Sequence, residues 1–163
     1  GERYRDELQA HVLRRGLQHN VVFDNRYLAY RELVLHLLAS DVYVVPYLNL
    51  KQIVSGTLAY AVGCGRAVVS TPSLYAREIL ADGVGLLAEA RDPQSLARRI
   101  AAILRNPDYQ RQLQARAYAR GHQMIWPEVA AAYLAVFGAA ASGERHPAAS
   151  MGAPEHGVHV LSA

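Results

Sequence analysis

Residues 41–71 read DVYVVPYLNLKQIVSGTLAYAVGCGRAVVST, and this stretch decides the fold. An apolar run, Val42 to Val45, meets Pro46. A polar loop, Asn49 to Gln52, follows. Val54, Leu58, Ala61 and Val62 then recur at helical spacing and predict a short helix with one apolar face. Glycines at 63 and 65 end it, and a second apolar run, Ala67 to Val69, begins at once. Strand, loop, helix and strand make a βαβ unit. Such units imply a parallel sheet that binds ligands at the carboxyl ends of its strands. Here that end is the loop from Pro46 to Gly56 and the first turn of the helix.

On the N-terminal side, Tyr4, Leu8 and Val12 predict a helix over Glu2 to Arg15, with Gly16 positioned to end it. Val21 to Phe23 is a short apolar run expected to be a strand, with a polar turn, Asp24-Asn25-Arg26-Tyr27, at its carboxyl end. A helix over Leu28 to Ser40 presents Leu33, Val34, Leu37 and Leu38. On the C-terminal side, a short helix over Leu74 to Ala81 and an Asp82-Gly83 turn lead to a strand at Gly85 to Ala88. Asp92-Pro93 and Asn106-Pro107 are two helix starts of the same kind, an N-cap residue followed by proline. The first opens a helix with Leu96, Ile100, Ile103 and Leu104 on one face. The second opens a polar helix from Tyr109 to Arg120, with Leu113 and Ala117 inward and Gly121 at its end. Trp126-Pro127 opens a last helix, with Val129, Tyr133, Val136 and Phe137 expected inward. The sum is four strands alternating with helices and then a run of helices, an α/β doubly wound, Rossmann-like pattern with helices on both faces of a parallel sheet. The expected domain covers residues 1–138. From Ala139 to Ala163 the periodicity stops, and a disordered tail is expected there. His146, His156 and His159 fall in that tail at spacings that match no metal site.

Composition narrows the function. The chain has 163 residues, enough for one domain with a sizeable core. Its formal charge is only +3, with the basic residues dispersed among acids, so no nucleic-acid face is expected. No apolar run reaches the roughly 20 residues of a membrane span. The single cysteine, Cys64, excludes an internal disulfide and fits a reducing, cytoplasmic setting, with a peripheral membrane association left open. Between two glycines at a helix end, Cys64 reads as a small packing residue rather than a nucleophile. The chain opens at Gly1 in a charged helical segment, from which a fragment of a longer protein is expected.

There is no GxGxxG, Walker loop, GxSxG or metal-ligand cluster. What remains is a helix N-terminus at the ligand end of the sheet, entered through Gln52-Ile53-Val54-Ser55-Gly56-Thr57. Free amides and the positive end of a helix dipole suit an anion, typically phosphate. Gly56 admits a close approach to the backbone, and Ser55 and Thr57 add hydroxyls. The competing reading makes Ser55 an N-cap and Gly56 a packing contact, and chemistry alone leaves both open.

The order of features from Asp41 to Asp92 resembles the donor-binding, C-terminal half of a GT-B retaining glycosyltransferase of family four. The residues that carry the resemblance are Pro46, Gly63-Cys64-Gly65-Arg66-Ala67-Val68-Val69, Glu78-Ile79, Asp82-Gly83, Gly85-Leu86-Leu87, Asp92-Pro93 and Arg105-Asn106-Pro107. Trp126 and the closing helix resemble the family's terminal segment, which crosses back to the first domain. The resemblance spans roughly residues 1–138. It implies transfer of a sugar from a nucleotide-diphosphate donor to a hydroxyl acceptor, with retention at the anomeric carbon, no cofactor and no obligatory metal. The family brackets the helix with two acidic residues eight apart, one near the transferred sugar and one on the donor ribose. Those positions are Gln52 and Tyr60 here. Gln52 keeps hydrogen-bonding capacity without charge, and Tyr60 offers one hydroxyl where a carboxylate would accept two bonds. Tyr60 also reads as a packing aromatic. The resemblance further places Asn25, Arg26 and Tyr27 by the nucleotide base, Arg26 to pair with phosphate and Tyr27 to stack, against the plainer reading of a polar turn. The family's diphosphate-binding Arg and Lys, its acceptor-binding N-terminal domain and its earlier strands lie upstream of this chain. The isolated chain is therefore expected to be inactive and its sheet incomplete. A noncatalytic scaffold that has lost its donor site is the alternative. A flavodoxin-like receiver fits the fold class but lacks its acidic cluster.

Overall fold

The computed structural model describes residues 2–142, so the three tail histidines lie outside the described residues. The chain forms two compact units that part between Leu35 and His36.

In the first unit, helix α1 covers Glu2–Arg14. It closes in a Schellman arrangement: the Leu17 amide donates to Val12 O at 3.0 Å and the Gly16 amide to Leu13 O at 3.0 Å. Gly16 sits at φ +67°, a conformation that disfavours any side chain. The expected strand at Val21 to Phe23 does not form. Three apolar residues make a strand only beside a ladder partner, and the described residues of this unit contain none. Val22 is left 90% exposed. Helix α2, Tyr30–Ala39, starts in this unit and ends in the next. Only Leu37 of its expected inner face is fully buried.

The second unit holds β1 (Val42–Val45), α3 (Gly56–Gly63), β2 (Ala67–Ser70), α4 (Leu74–Ile79), a 3-10 turn (Ala81–Gly83), β3 (Leu86–Leu87), α5 (Pro93–Leu104), α6 (Pro107–His122) and α7 (Trp126–Ser142). The three strands pair in parallel in the order β1-β2-β3, with Val42 opposite Ala67 and Val69 opposite Leu86. The α/β parallel architecture is thus as expected, with three strands in place of four among the described residues.

The middle strand shows why helices must cover both faces. Side chains alternate across a strand, yet Ala67, Val68 and Val69 are all 0% exposed. Ala67 and Val69 join Ala88, Ile103 and Leu113 in one core cluster, lined further by Leu96, Ile100 and Tyr109. α3 contributes Leu58, Ala61 and Val62, all fully buried. Asp92 and Asn106 cap their helices as their Pro partners predict: Ser95 N donates to Asp92 Oδ1 at 2.9 Å, and Tyr109 N to Asn106 Oδ1 at 3.0 Å. α6 crosses the end of α3 at very short range. A Cβ on Gly121 would lie 2.7 Å from Gly63 Cα and 3.0 Å from Val62 O.

Three expectations need correction. Val54 is not part of α3. Ser55 takes an extended backbone, φ −153°, and caps a helix that begins at Gly56, leaving Val54 67% exposed. α6 does not stop at Gly121 but runs through it to His122, because that glycine is buried in the contact with α3 and breaks no helical bond. α7 buries none of its residues. Tyr133, Val136 and Phe137 are 60, 50 and 62% exposed. Helical spacing groups them on a face, but among the described residues nothing covers that face. α7 also extends past the expected boundary at residue 138, to Ser142.

Candidate functional site

The carboxyl ends of the strands carry the loop from Pro46 to Val54, and three sets of bonds hold it in place. At its start, Thr71 follows β2 and donates its Oγ1 to Tyr47 O, while the Thr71 amide donates to Val45 O at 3.2 Å. The buried Ser70 Oγ donates to the same Val45 carbonyl at 3.1 Å. Farther along, the Leu74 and Tyr75 amides at the start of α4 donate to Leu50 O at 3.0 Å and Gln52 O at 3.1 Å. Asn49 closes a turn by accepting from Lys51 N at 3.1 Å. The loop is therefore held from outside by the end of β2 and the β2–α4 connection.

Ser55 serves as the N-cap, its Oγ accepting from Leu58 N at 3.3 Å. Its side chain is also one of three hydroxyls that meet. Tyr47 Oη lies 3.2 Å from Ser55 Oγ and 3.4 Å from Thr57 Oγ1. These bonds, with Ser55 foremost and then Thr57, hold the Tyr47 hydroxyl below its ordinary pKa, and Gln52 acts in the same direction. The amides of Gly56 and Thr57 belong to the first turn, before intrahelical bonding begins. Gly56 has open space at its Cβ position, with no atom within 4 Å. The packing explanation for this glycine therefore fails, while a close approach from outside is unobstructed.

Gln52 is half-buried, its Nε2 donates to Val54 O at 2.7 Å, and its side chain also bonds the Tyr47 hydroxyl. Tyr60 stands one turn beyond Thr57 and is 43% exposed. Neither position brings a charge. Beside the loop a cleft of about 200 Å³ opens, with Pro46, Leu48, Thr71, Glu89, Arg91 and Leu96 among its lining residues. Among the described residues, no group of three His, Cys, Asp or Glu could hold a metal ion.

The structure thus brings Gln52, Ser55, Gly56 and Thr57 together around one helix start. Asn25, Arg26 and Tyr27 belong to the first unit. There Arg26 is held by acids: its Nε and Nη2 reach the Asp24 carboxylate at 3.2 and 3.0 Å, and its Nη1 lies 3.6 Å from Glu32. The Asp24 hydrogen bond and charge, then Glu32, raise its pKa. Tyr27 is 99% exposed and Asn25 is exposed as well. Tyr47 was not among the expected site residues. Its position directly after the proline that ends β1 was the available signal, since strand ends of such sheets carry the ligand contacts. Cys64, expected to be buried, is half-buried at the C-cap of α3.

The sequence profile described as glycosyl transferases group 1 matches residues 1–106. The chain belongs to the group 1 glycosyltransferases. Among solved structures, the sucrose-phosphate synthase of Thermosynechococcus elongatus superposes with a TM-score of 0.71 at 21% identity, over 86% of this chain and 35% of that one. The C-terminal domain of the glycosyl transferase group 1 family protein LpcC of Francisella tularensis gives 0.65 at 19% identity, over 72% of this chain and 60% of that one. No curated protein matches. The fold of this group 1 glycosyltransferase chain is that of a GT-B C-terminal half. The chain spans about a third of the synthase and three fifths of the LpcC domain. No single helix among the described residues is long and apolar enough to cross a membrane.

Proposed function

We propose that this chain binds a nucleotide-diphosphate sugar at the start of α3 and supplies the donor half of a retaining transferase acting on a hydroxyl acceptor. An N-terminal acceptor-binding half completes the enzyme in this reading, and catalysis is placed in the cytoplasm. The observation that carries the proposal is the open Gly56 with its first-turn amides, flanked by the hydroxyls of Ser55 and Thr57.

The chemistry follows from charge. Breaking the sugar–phosphate bond leaves an oxocarbenium-like sugar and a diphosphate that gains negative charge. Preoriented N–H donors at a helix start favour that developing charge more than the ground state, which lowers the barrier. The helix dipole adds roughly 0.3–1 kcal/mol, more where water is excluded. Gln52 Oε1 accepts from a sugar hydroxyl, and Tyr60 contacts the ribose through a single hydroxyl. No catalytic base is assigned.

The test is a titration of the protein with UDP, GDP and ADP, followed by amide NMR. The amides of Ser55, Gly56 and Thr57 are expected to shift with at least one of them. If none of the three shifts with any diphosphate, the donor site is elsewhere. Retention is read from the anomeric configuration of the first product released by the complete protein.

A further inference from the structure

The cleft beside the Pro46 to Val54 loop is bounded by the segments that leave all three strands. Pro46 and Leu48 follow β1, Thr71 follows β2, and Glu89 and Arg91 follow β3. Its volume of about 200 Å³ lies below the roughly 300–1,000 Å³ of pockets for drug-sized ligands, so it suits one small ring. Arg91 is the unusual residue. It takes φ +61° in a turn closed by the Asp92 amide, which donates to Glu89 O at 3.3 Å. Glycine prefers that conformation, so the long side chain is kept there against the backbone. Among the described residues, neither the Arg91 guanidinium nor the Glu89 carboxylate has a hydrogen bond or an ion pair. The neighbouring polar groups are committed: Asp92 Oδ1 accepts from Ser95 N at 2.9 Å, and Thr71 Oγ1 donates to Tyr47 O. Pro46, Leu48, Pro93 and Leu96 supply apolar surface. This lining selects its occupant. Asp92 already fills the start of α5 and Glu89 adds a second negative charge, which disfavours an anion, while Arg91 disfavours a cation. An apolar ligand would strip water from Glu89 and Arg91 and replace it with nothing. A neutral polyhydroxyl ring satisfies every part: its C–H face packs on the prolines and leucines, its hydroxyls donate to the carboxylate, and their oxygens accept from the guanidinium.

We infer that this cleft is a carbohydrate subsite, which seats one neutral sugar ring of the acceptor with Glu89 and Arg91 on its hydroxyls. Tyr47 divides the cleft from the start of α3. Pro46 and Leu48 on either side of it line the cleft, whereas its own hydroxyl meets Ser55 and Thr57. A ring in the cleft is thus separated from the loop's other side by a single residue, the relation that an acceptor needs to a donor. The inference rests on the sugar-transfer reading above, but not on an anion seat at Gly56.

The experiment records amide NMR spectra of this chain with methyl α-glucoside, methyl α-mannoside and methyl α-galactoside, with glycerol as the control, and separately with UDP and UDP-glucose. At least one glycoside is expected to shift the amides of Glu89 to Asp92, and glycerol is expected to leave them in place. Arg91→Gly removes the guanidinium and gives the turn the residue its backbone prefers. That variant is expected to melt no lower than the wild type and to bind the glycoside about tenfold more weakly. Glu89→Gln keeps the shape, loses the charge and is expected to weaken binding in the same direction. If no free glycoside shifts those amides, or glycerol shifts them equally, the inference is overturned, whatever UDP does at Gly56. A shift with UDP-glucose alone also overturns it, since the cleft then belongs to the donor sugar. Equal affinity in Arg91→Gly and the wild type overturns it as well. If a glycoside shifts Glu89 to Asp92 while neither UDP nor UDP-glucose moves Ser55 to Thr57, the carbohydrate subsite stands and the donor seat at α3 falls.

Discussion

At Gly56 the open Cβ position separates stability from function. Gly56→Ala adds a methyl group that meets nothing in the chain and replaces the poorest helix former but proline with the best. Thermal stability is expected to hold or to rise by up to about 1 kcal/mol, while diphosphate affinity falls by about tenfold, from a clash with the bound anion. Calorimetric melting and a UDP titration on the same sample check both halves. A second residue gives a pH signature. Burial first, and the Glu78 charge second, push the Tyr75 hydroxyl above its ordinary value near 10. The unfolded chain then ionises first as pH rises, so the neutral group's contribution is intact below pH 10 and is lost on going through the folded-state value. Urea midpoints measured from pH 8 upward should decline less steeply in Tyr75→Phe than in the wild type. Gly56, Ser55 and Thr57 were legible because helix-start chemistry is local. Tyr47 was not, because its partners are eight and ten residues away and only the closed loop brings them to it.

For the helices, the caps were the clearest text. Asp92-Pro93 and Asn106-Pro107 each place an acceptor and a pre-set φ within two residues, and both helices begin where those pairs stand. The start of α3 was blurred because Val54 keeps the apolar spacing while Ser55 takes the cap. α7 shows the opposite gap: periodicity identifies its apolar residues but carries no information about what, if anything, faces them. The crossing of α3 and α6 is the most sensitive contact at this scale. Gly121→Ala puts a methyl group against backbone atoms of Val62 and Gly63, which have no rotamer by which to move aside. A loss of about 1–3 kcal/mol is expected in chemical denaturation, the range of an overpacked core. Unchanged stability would show that the two helices separate easily.

For the molecule as a whole, the fully buried hydrophobic residues begin at Leu37. The second unit therefore owns its core. A chain that starts at Leu28, keeping α2, is expected to melt cooperatively and to retain the helical spectrum of the remaining elements. Loss of a cooperative transition in a thermal scan would mean that residues 2–27 supply part of that core. The parallel sheet was legible from the alternation of apolar runs and helices, since β1, β2 and β3 each follow from a local pattern. The supposed strand at Val21 to Phe23 was misread because pairing is a nonlocal property, and three residues do not encode a partner.

The contact of Gly121 with Gly63 has a mechanical meaning. Backbone rests on backbone there, so the tail of α3 behaves as a fixed pivot. α3 has eight residues, from Gly56 to Gly63. A helix of that length measures about 12 Å, so a tilt of some 5° about the pivot sweeps its opening turn through about 1 Å. A displacement of that size can cost on the order of a hundredfold in rate where reacting groups must be aligned. The bearing surface of this lever lies on α6, a full helix length from the hydroxyls it aims.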